Sequence, residues 1–335
     1  MNYQSEKCER RSVIVSLFSK PEVIVLKESS DAKAYLARLE DLQTQVPEGS
    51  ELSKRLAREI AVTKAGIIGE DAIMFELKNS GMDLVVLHDI FLEAPSGNTA
   101  QIDYLVITPG VYVFIECKNL FGNIEINSKG DFIRSMEYNG KWYKEGLYSP
   151  ITQNERHMQV AKECRENGMN VLKRAAFDRG YSTFNKSLVV LANPKTVVND
   201  KFAQKTVKSQ VIRADQLIGK LKALSDGSPS RSSVKMMRET GELLLARNKE
   251  ERHDYFAKFA AWKEELDAAE KQQPVEKVAD NASKEQPAAA ETEQKLCPRC
   301  GKPLVLRTAA KGSNAGKQFW GCSGFPNCRY IENIK

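Results

Sequence analysis

Two sets of residues in this sequence have types and spacings that could do chemistry. The first is Asp103 followed by Glu116-Cys117-Lys118, within the stretch from Gln101 to Asn119. Two runs rich in Val, Ile and aromatic residues flank Pro109-Gly110, the pattern of paired, buried antiparallel strands. With Thr108 and Val111 flanking a two-residue turn, positions whose numbers sum to 219 face each other, so Asp103 sits opposite Glu116 and Gln101 opposite Lys118. Strand side chains alternate, so Asp103, Glu116 and Lys118 share one face. Pro-Gly suits a type II turn better than the primed turns of tight hairpins, so a longer loop with shifted pairing is the alternative; the i, i+2 relation of Glu116 and Lys118 survives either. Two carboxylates opposed in an apolar setting repel each other, and a hard, oxygen-seeking cation such as Mg²⁺ or Mn²⁺ relieves the repulsion. The bland alternative is a surface acid beside an ordinary ion pair.

The second set is Cys297-Pro-Arg-Cys300 and Cys322-Ser-Gly-Phe-Pro-Asn-Cys328, a CxxC and a C-x5-C separated by 21 residues. Four thiolates in a tail too short to bury its own core are the signature of one structural Zn²⁺, whose binding supplies the folding energy. A closed four-sulfur set leaves no coordination position open, so this zinc is structural. Cys8, Cys117 and Cys164 lie far apart in sequence and read as small buried hydrophobes.

The order Asp, then Glu-x-Lys on adjacent strands, is that of the PD-(D/E)xK nucleases. With a Gly69-Glu70 helix start, a strand, Gln101-Ile-Asp103-Tyr, Ile115-Glu116-Cys-Lys118 and Phe121-Gly122, the region from about 60 to 225 resembles the nuclease-related domain family, NERD. The resemblance implies a restriction-endonuclease-like α/β fold, a mixed sheet flanked by helices. It also implies roles: Glu70, Asp103 and Glu116 as carboxylates for Mg²⁺ or Mn²⁺, and Lys118 as the catalytic lysine. Gln153 and His157 form Gln-x-x-x-His, similar to the Gln-x-x-x-Tyr element of RecB-type nucleases, which places Gln153 near metal and phosphate; the departure at His157 leaves that residue's role open, a solvated histidine being the alternative. The tail from Gly316 to Tyr330 resembles the C-terminal zinc ribbons of bacterial type I topoisomerases, which implies single-stranded DNA binding. Arg307, Lys311, Lys317 and Arg329, interleaved with Phe319, Trp320, Phe325 and Tyr330, match the required mixture of phosphate neutralisation and base stacking. A protein-docking ribbon, toward a topoisomerase or RNA polymerase, is the competing reading.

These sets need elements to position them. The chain has 335 residues and 41% hydrophobic content, enough for one sizeable core and an accessory module. Its net charge of +6 resides in the tail, where residues 297–335 hold seven Lys/Arg against one acid. No apolar run reaches membrane-spanning length and no secretory signal is evident, so a cytoplasmic protein with no membrane partner is expected. The expected organisation is a mainly helical region over 1–59, the nuclease-like domain over 60–225, a helical extension over 226–270, a flexible linker over 271–296 and the ribbon over 297–335. Strands are expected at Leu84–Leu92, Lys186–Leu191 and Val207–Arg213, helices from Asp31 and Ser50 and at Asp215–Leu224, and a helix after Ser149. The sequence thus points to a metal-dependent DNA nuclease of DNA processing or repair with a tethered ribbon. The alternative is a non-catalytic DNA-binding accessory protein of the same fold.

Overall fold

Three consecutive segments dominated by Val, Ile, Leu and aromatic residues, β2 (Leu84–Glu93), β3 (Thr99–Ile107) and β4 (Tyr112–Lys118), form an antiparallel meander. The structure, a computed structural model, describes residues 20–249, 253–271, 296–300, 302–308, 318–324 and 328–333. In it β1 (Val23–Lys27) pairs in parallel with β2, while β8 (Asn185–Leu191) and then β10 (Val211–Arg213) add in parallel beyond β4. The resulting mixed sheet has the order β1-β2-β3-β4-β8-β10. Its inner strands are apolar on both faces because helices cover both. The helices of this part of the chain are α1 (Asp31–Gln45), α2 (Glu51–Lys78), α3 (Pro150–Glu166), α4 (Val171–Phe184), a single turn α5 (Lys205–Lys208), α6 (Leu217–Asp226), α7 (Val234–Leu245) and α8 (His253–Lys271). Ile73, Met74 and Leu77 of α2 and Leu221 of α6 pack on Val86, Val106 and Val113. On the other face Val160 and Ala161 of α3 and Met237 of α7 pack on Leu87, Leu105 and Phe114.

The hairpin register is the expected one from Tyr104 opposite Ile115 to Ile107 opposite Tyr112, but the ladder stops there, so the expected pairs Asp103–Glu116 and Gln101–Lys118 do not form. The turn is built differently from a type II turn: Gly110 does not adopt positive φ, and the Thr108 hydroxyl accepts the Val111 N–H at 2.9 Å. Glycine is required there because a Cβ would run into the Ser225 carbonyl, while Ser228 Oγ donates to the Gly110 carbonyl at 2.7 Å. Gly110→Ala is expected to destabilise the fold by roughly 2 kcal/mol through this backbone clash, read as a lower urea midpoint with unchanged slope.

Three sequence expectations are corrected. Helix α2 does not start at Gly69-Glu70; it starts at Glu51, capped by Ser50, whose hydroxyl accepts the Ser53 N–H at 3.0 Å, and runs unbroken to Lys78. Gly66 and Gly69 therefore sit inside it, and the division expected at 59/60 falls within one helix. The second glycine has a packing reason, since a Cβ at Gly69 would lie 2.7 Å from Asn119 Cβ and 3.1 Å from Cys117 Sγ. Val207 and Lys208 are helical rather than strand, because the turn α5 precedes the short β10. The stretch after Phe121, given no strands by the sequence reading, forms a second sheet: β5 (Asn123–Ile126), β6 (Phe132–Tyr138), β7 (Lys141–Leu147) and β9 (Val198–Asn199), in the order β7-β6-β5-β9. Ile124, Ile126 and Phe132 pack there against Ile151, Val189 and Leu191.

The remaining helices form a satellite core, in which Tyr35, Leu39 and Leu42 of α1, Leu52 and Leu56 of α2 and Leu266 of α8 are buried together. The chain divides into two units, 1–274 and 275–335. The second is an antiparallel three-stranded sheet of β11 (Leu304–Thr308), β12 (Gln318–Cys322) and β13 (Ile331–Asn333). The apolar stretch Val13–Phe18 and most of the expected linker lie outside the described residues. Among the described residues no helix is long and apolar enough to cross a membrane.

Candidate active site

Strands β3 and β4 pair only as far as Tyr104 and Ile115, and beyond that point β4 continues alone against β8, with Glu116 opposite Val189 and Lys118 opposite Leu191. The gap is where the charged residues gather. Asp103, the first residue past the ladder, uses its side chain in place of the lost backbone pairing: Oδ2 accepts the Cys117 N–H at 2.7 Å. Lys118 Nζ donates to Glu116 Oε1 at 2.7 Å and to Gln153 Oε1 at 3.2 Å. Gln153 is in the first turn of α3, which opens with Ser149 as N-cap and Pro150 behind it. One turn on, His157 Nδ1 stands 3.5 Å from Glu116 Oε2. Glu116 is 2% exposed, and its Oε2 has no hydrogen-bond partner.

Helix α3 is held in this position by a residue that the sequence reading passed over. The buried Asn154 donates to the carbonyls of Phe114 (2.9 Å) and Leu188 (3.3 Å) and to Ser187 Oγ (3.0 Å), bridging β4 and β8.

Glu70 reaches the same region from α2. Its Oε2 is 2.9 Å from His88 Nε2, and its backbone carbonyl accepts from Tyr104 Oη at 2.8 Å. His88 also faces the Glu28 carbonyl through Nδ1 at 2.9 Å; a carbonyl can only accept, so Nδ1 carries hydrogen. The ring stacks on Tyr104 with centroids 4.5 Å apart. Next to it Asp89 has φ +56°, which interrupts the β2–β3 ladder opposite Asp103. Lys27 Nζ crosses this kink and donates to the His88 and Asp89 carbonyls. His88 was not singled out from sequence; an ionisable residue midway along an otherwise apolar strand was the available signal.

The electrostatics are those of anions crowded without enough compensation. Burial pushes the Asp103 carboxyl well above its ordinary range, and the Glu116 and Glu70 charges push it further. Burial also raises Glu116, with Lys118 opposing the shift. The Cys117 thiol is raised for the same reasons and is no nucleophile. His157 moves the other way, down to about 4, through burial and then the Lys118 charge. One oxygen of each acid is engaged, by His88, Cys117 N–H or Lys118, and the second oxygen of Glu116 is buried without a hydrogen-bond partner among the described residues. The three do not, however, converge as tightly as the cysteines, which among the described residues are the one group with ligand atoms all within 4.8 Å.

His157 yields a pH prediction. Its folded pKa is depressed from 6.5 to about 4, so its contribution is present above pH 6.5 and is lost as pH falls toward 4, where the unfolded chain binds a proton that the folded site refuses. His157→Gln should therefore gain stability relative to the native chain between pH 6.5 and 4, by on the order of 2 kcal/mol at the acid end. Urea titrations of both proteins at pH 7 and pH 4.5 would show it, and equal shifts in the two would refute it.

In the second unit, Sγ of Cys297 and Cys328 are 3.8 Å apart and those of Cys300 and Cys322 are 3.3 Å apart. Both separations exclude disulfides, at about 2 Å, and the first equals the edge of a tetrahedron with zinc–sulfur bonds of about 2.3 Å. A backbone hydrogen bond at Lys302 pulls the Cys300 thiol down, while burial and the neighbouring thiols hold Cys322 and Cys328 up, so without an ion the cluster shares its protons unevenly. Arg307 lies opposite Phe319 across β11 and β12, and Gly321 leaves the space its aliphatic stem fills. With Arg329, Tyr330 and Ile331 they line a groove of about 280 Å³. Trp320 is on the other face, half-buried with Tyr330 against the cysteine core. Lys311, Lys317 and Phe325 lie outside the described residues.

Residues 65–192 match the family model of the nuclease-related domain, NERD. The NERD match begins shortly before Glu70 and ends just after β8, so it contains Asp103, Glu116, Lys118, Gln153, His88 and His157. Residues 294–335 match the model described as the topoisomerase DNA-binding C4 zinc finger, with all four cysteines inside. Similar relatives are DNA topoisomerase 1 of Mycoplasma genitalium, 38% identical over 56 residues, 17% of this chain and 8% of that protein. DNA topoisomerase 1 of Methanocaldococcus jannaschii is 40% identical over 42 residues, 12% of this chain and 5% of that protein. The chain thus spans less than a tenth of either relative, and the likeness is that of the zinc ribbon. No solved structure matches.

Proposed function

We propose that this protein is a metal-dependent DNA nuclease that hydrolyses phosphodiesters in DNA processing or repair, with its zinc ribbon as a tethered DNA-binding module. The observation that carries the reading is the splayed end of β3 and β4, where Asp103 and Glu116 stand over a lysine held between Glu116 and Gln153. Asp103 and Glu116 would hold Mg²⁺ or Mn²⁺ through their unengaged oxygens, with Glu70 completing the set. When bound, such an ion polarises the scissile phosphate and acidifies a water. Lys118 spends two hydrogens on Glu116 and Gln153 and keeps a third to orient the attacking water and offset charge developing on the phosphate. Gln153 accepts from Lys118 through Oε1, which leaves its Nε2 hydrogens for a phosphate oxygen. His157, neutral at pH 7, fills the space beside Glu116 without adding charge.

The ribbon's groove, with two arginines and an aromatic face, suits single-stranded DNA, and tethering raises the local DNA concentration at the active site. The test is incubation of the full chain with labelled single-stranded, double-stranded and plasmid DNA, with and without added Mg²⁺ or Mn²⁺. Omitting the ion rather than chelating it leaves the ribbon's zinc in place. Cleavage that needs the added ion supports the reading. Binding without cleavage under every condition would favour the accessory-protein alternative, which the looser convergence of the three carboxylates also fits.

A further inference from the structure

Between Lys118 on β4 and Gln153 on α3 the chain makes an excursion that the chemistry above does not use. After β5, strands β6 and β7 form a hairpin, and Tyr148 returns the chain to the start of α3. The tip is Asn139-Gly140, both at positive φ (+52° and +71°), as a type I′ turn demands. The base is fixed. Phe132 and Leu147 belong to the core of the second sheet, and Gly122, at φ +98°, lies so close beneath the hairpin that a Cβ would come within 3.0 Å of Met136 Cβ. Beyond that base, every residue from 137 to 146 is exposed.

Exposed strands normally carry small polar side chains, and this one does not. Tyr138 is 65% exposed, Trp142 66% and Tyr143 45%, with Phe121 and Tyr148 exposed at the base. The pairing of Met136 with Tyr143 and Tyr138 with Lys141 puts Tyr138, Lys141 and Tyr143 on one face, and Glu137, Trp142 and Lys144 on the other. Arg134 is paired with Glu145 near the base. Among the described residues Lys141 and Lys144 have no acidic partner.

We propose that this hairpin is a DNA-engaging arm, on which Trp142 stacks against an unpaired base of a single strand leading into the site while Lys141 and Lys144 hold its phosphates. The proposal rests on the DNA reading of the active site. Three observations favour a nucleic-acid strand over a protein surface. Aromatic rings occupy both faces of the ribbon, whereas a protein docked flat covers one. The free charges at the tip are predominantly cationic. Along the chain the hairpin is bracketed by Lys118, through β5, and by Gln153, so both of its ends run back toward residues of the catalytic gap. Stacking selects single-stranded DNA, because a ring reaches the face of a base only when that base is unstacked; groove readers of duplex DNA rely on guanidinium and amide groups instead.

The chain has three tryptophans, so Trp262→Phe and Trp320→Phe in the full-length protein leave Trp142 as the sole emitter. With Glu116→Gln added and no Mg²⁺ supplied, the probe is a fluorescently labelled oligothymidine, against a duplex of equal length, with binding followed independently by anisotropy. The expected result is saturable quenching of Trp142 that tracks the single-strand isotherm and is weaker with duplex. Lys141→Glu with Lys144→Glu should lower single-strand affinity about tenfold or more and flatten its salt dependence. Unchanged Trp142 emission at saturating anisotropy overturns the proposal, as does an emission shift produced by raising protein concentration alone, which marks self-association. Cleavage by the native chain decides the nuclease reading separately: quenching without cleavage keeps the arm and removes the catalysis, and cleavage without quenching does the reverse.

Discussion

Lys118→Ala is expected to fold normally, bind DNA nearly as well as the native chain and lose metal-dependent cleavage by about 10²–10³-fold or more, the range seen when one preorganised electrostatic donor is removed from a water-poor site. The geometry makes this variant informative. Among the described residues Nζ hydrogen-bonds Glu116 and Gln153, and the side chain is 28% exposed, so truncation opens no large cavity. It also leaves Glu116, already raised by burial, without its cation. Added Mg²⁺ or Mn²⁺ should then restore little activity even at high concentration, because the missing group orients water rather than holding the ion. Glu116→Ala should lose activity to at least the same extent, with a lower apparent metal affinity as well. Single-turnover cleavage at several metal concentrations separates the two losses; cleavage persisting near the native rate in both variants would remove Glu116 and Lys118 from the chemistry.

The second large effect concerns zinc. Among the described residues three of the four cysteines are nearly the whole core of the ribbon: Cys297, Cys322 and Cys328 are buried with Leu304, and Trp320 and Tyr330 pack against them. A core that small cannot offset the chain entropy of ordering three strands, whereas structural zinc contributes about 10–16 kcal/mol in comparable peptides. Stripping the ion, or Cys322→Ser, should therefore unfold the ribbon alone. The NERD region should keep its cooperative thermal transition, since its sheet and helices are buried independently. DNA affinity should fall by about 10²-fold, the usual scale of lost tethering, while the cleavage rate at saturating DNA stays close to native. One zinc per chain by elemental analysis, and loss of ribbon resonances on chelation with the rest of the spectrum retained, would check it.

How much of this was legible beforehand follows the physics of each signal. The hairpin register from Tyr104–Ile115 to Ile107–Tyr112 could be read because two-residue periodicity and a short turn leave few alternatives, whereas its end before Asp103 could not; the cysteine spacing could be read because zinc geometry is strict. Glu70 was legible as an acid on an apolar face, but its helix was not: glycines at 66 and 69 suggest a break, and only the proximity of Asn119 and Cys117 shows why one of them lies mid-helix. His88 and Asn154 act through contacts with residues distant in sequence, which no local pattern encodes. The second sheet was missed because its hairpin alternates aromatic with charged residues instead of apolar with polar, the pattern of a strand that faces something other than a core. His157, for which a solvated position was the simpler expectation, is in fact half-buried beside Glu116 because Asn154 pins α3 against β4 and β8.

The change of partner along β4 has a consequence for how the protein comes into being. Through Ile115 this strand is half of a local hairpin that can form as soon as it is synthesised, but the strand pairing of Glu116, Cys117 and Lys118 is with β8, roughly seventy residues further along. A nascent or truncated chain ending before residue 185 would own every acid and the lysine and still lack the surface that fixes them. That backbone support is thus deferred until a late, non-local pairing closes, and the growing chain lengthens by about seventy residues with Glu116 and Lys118 present and their partner strand still to come.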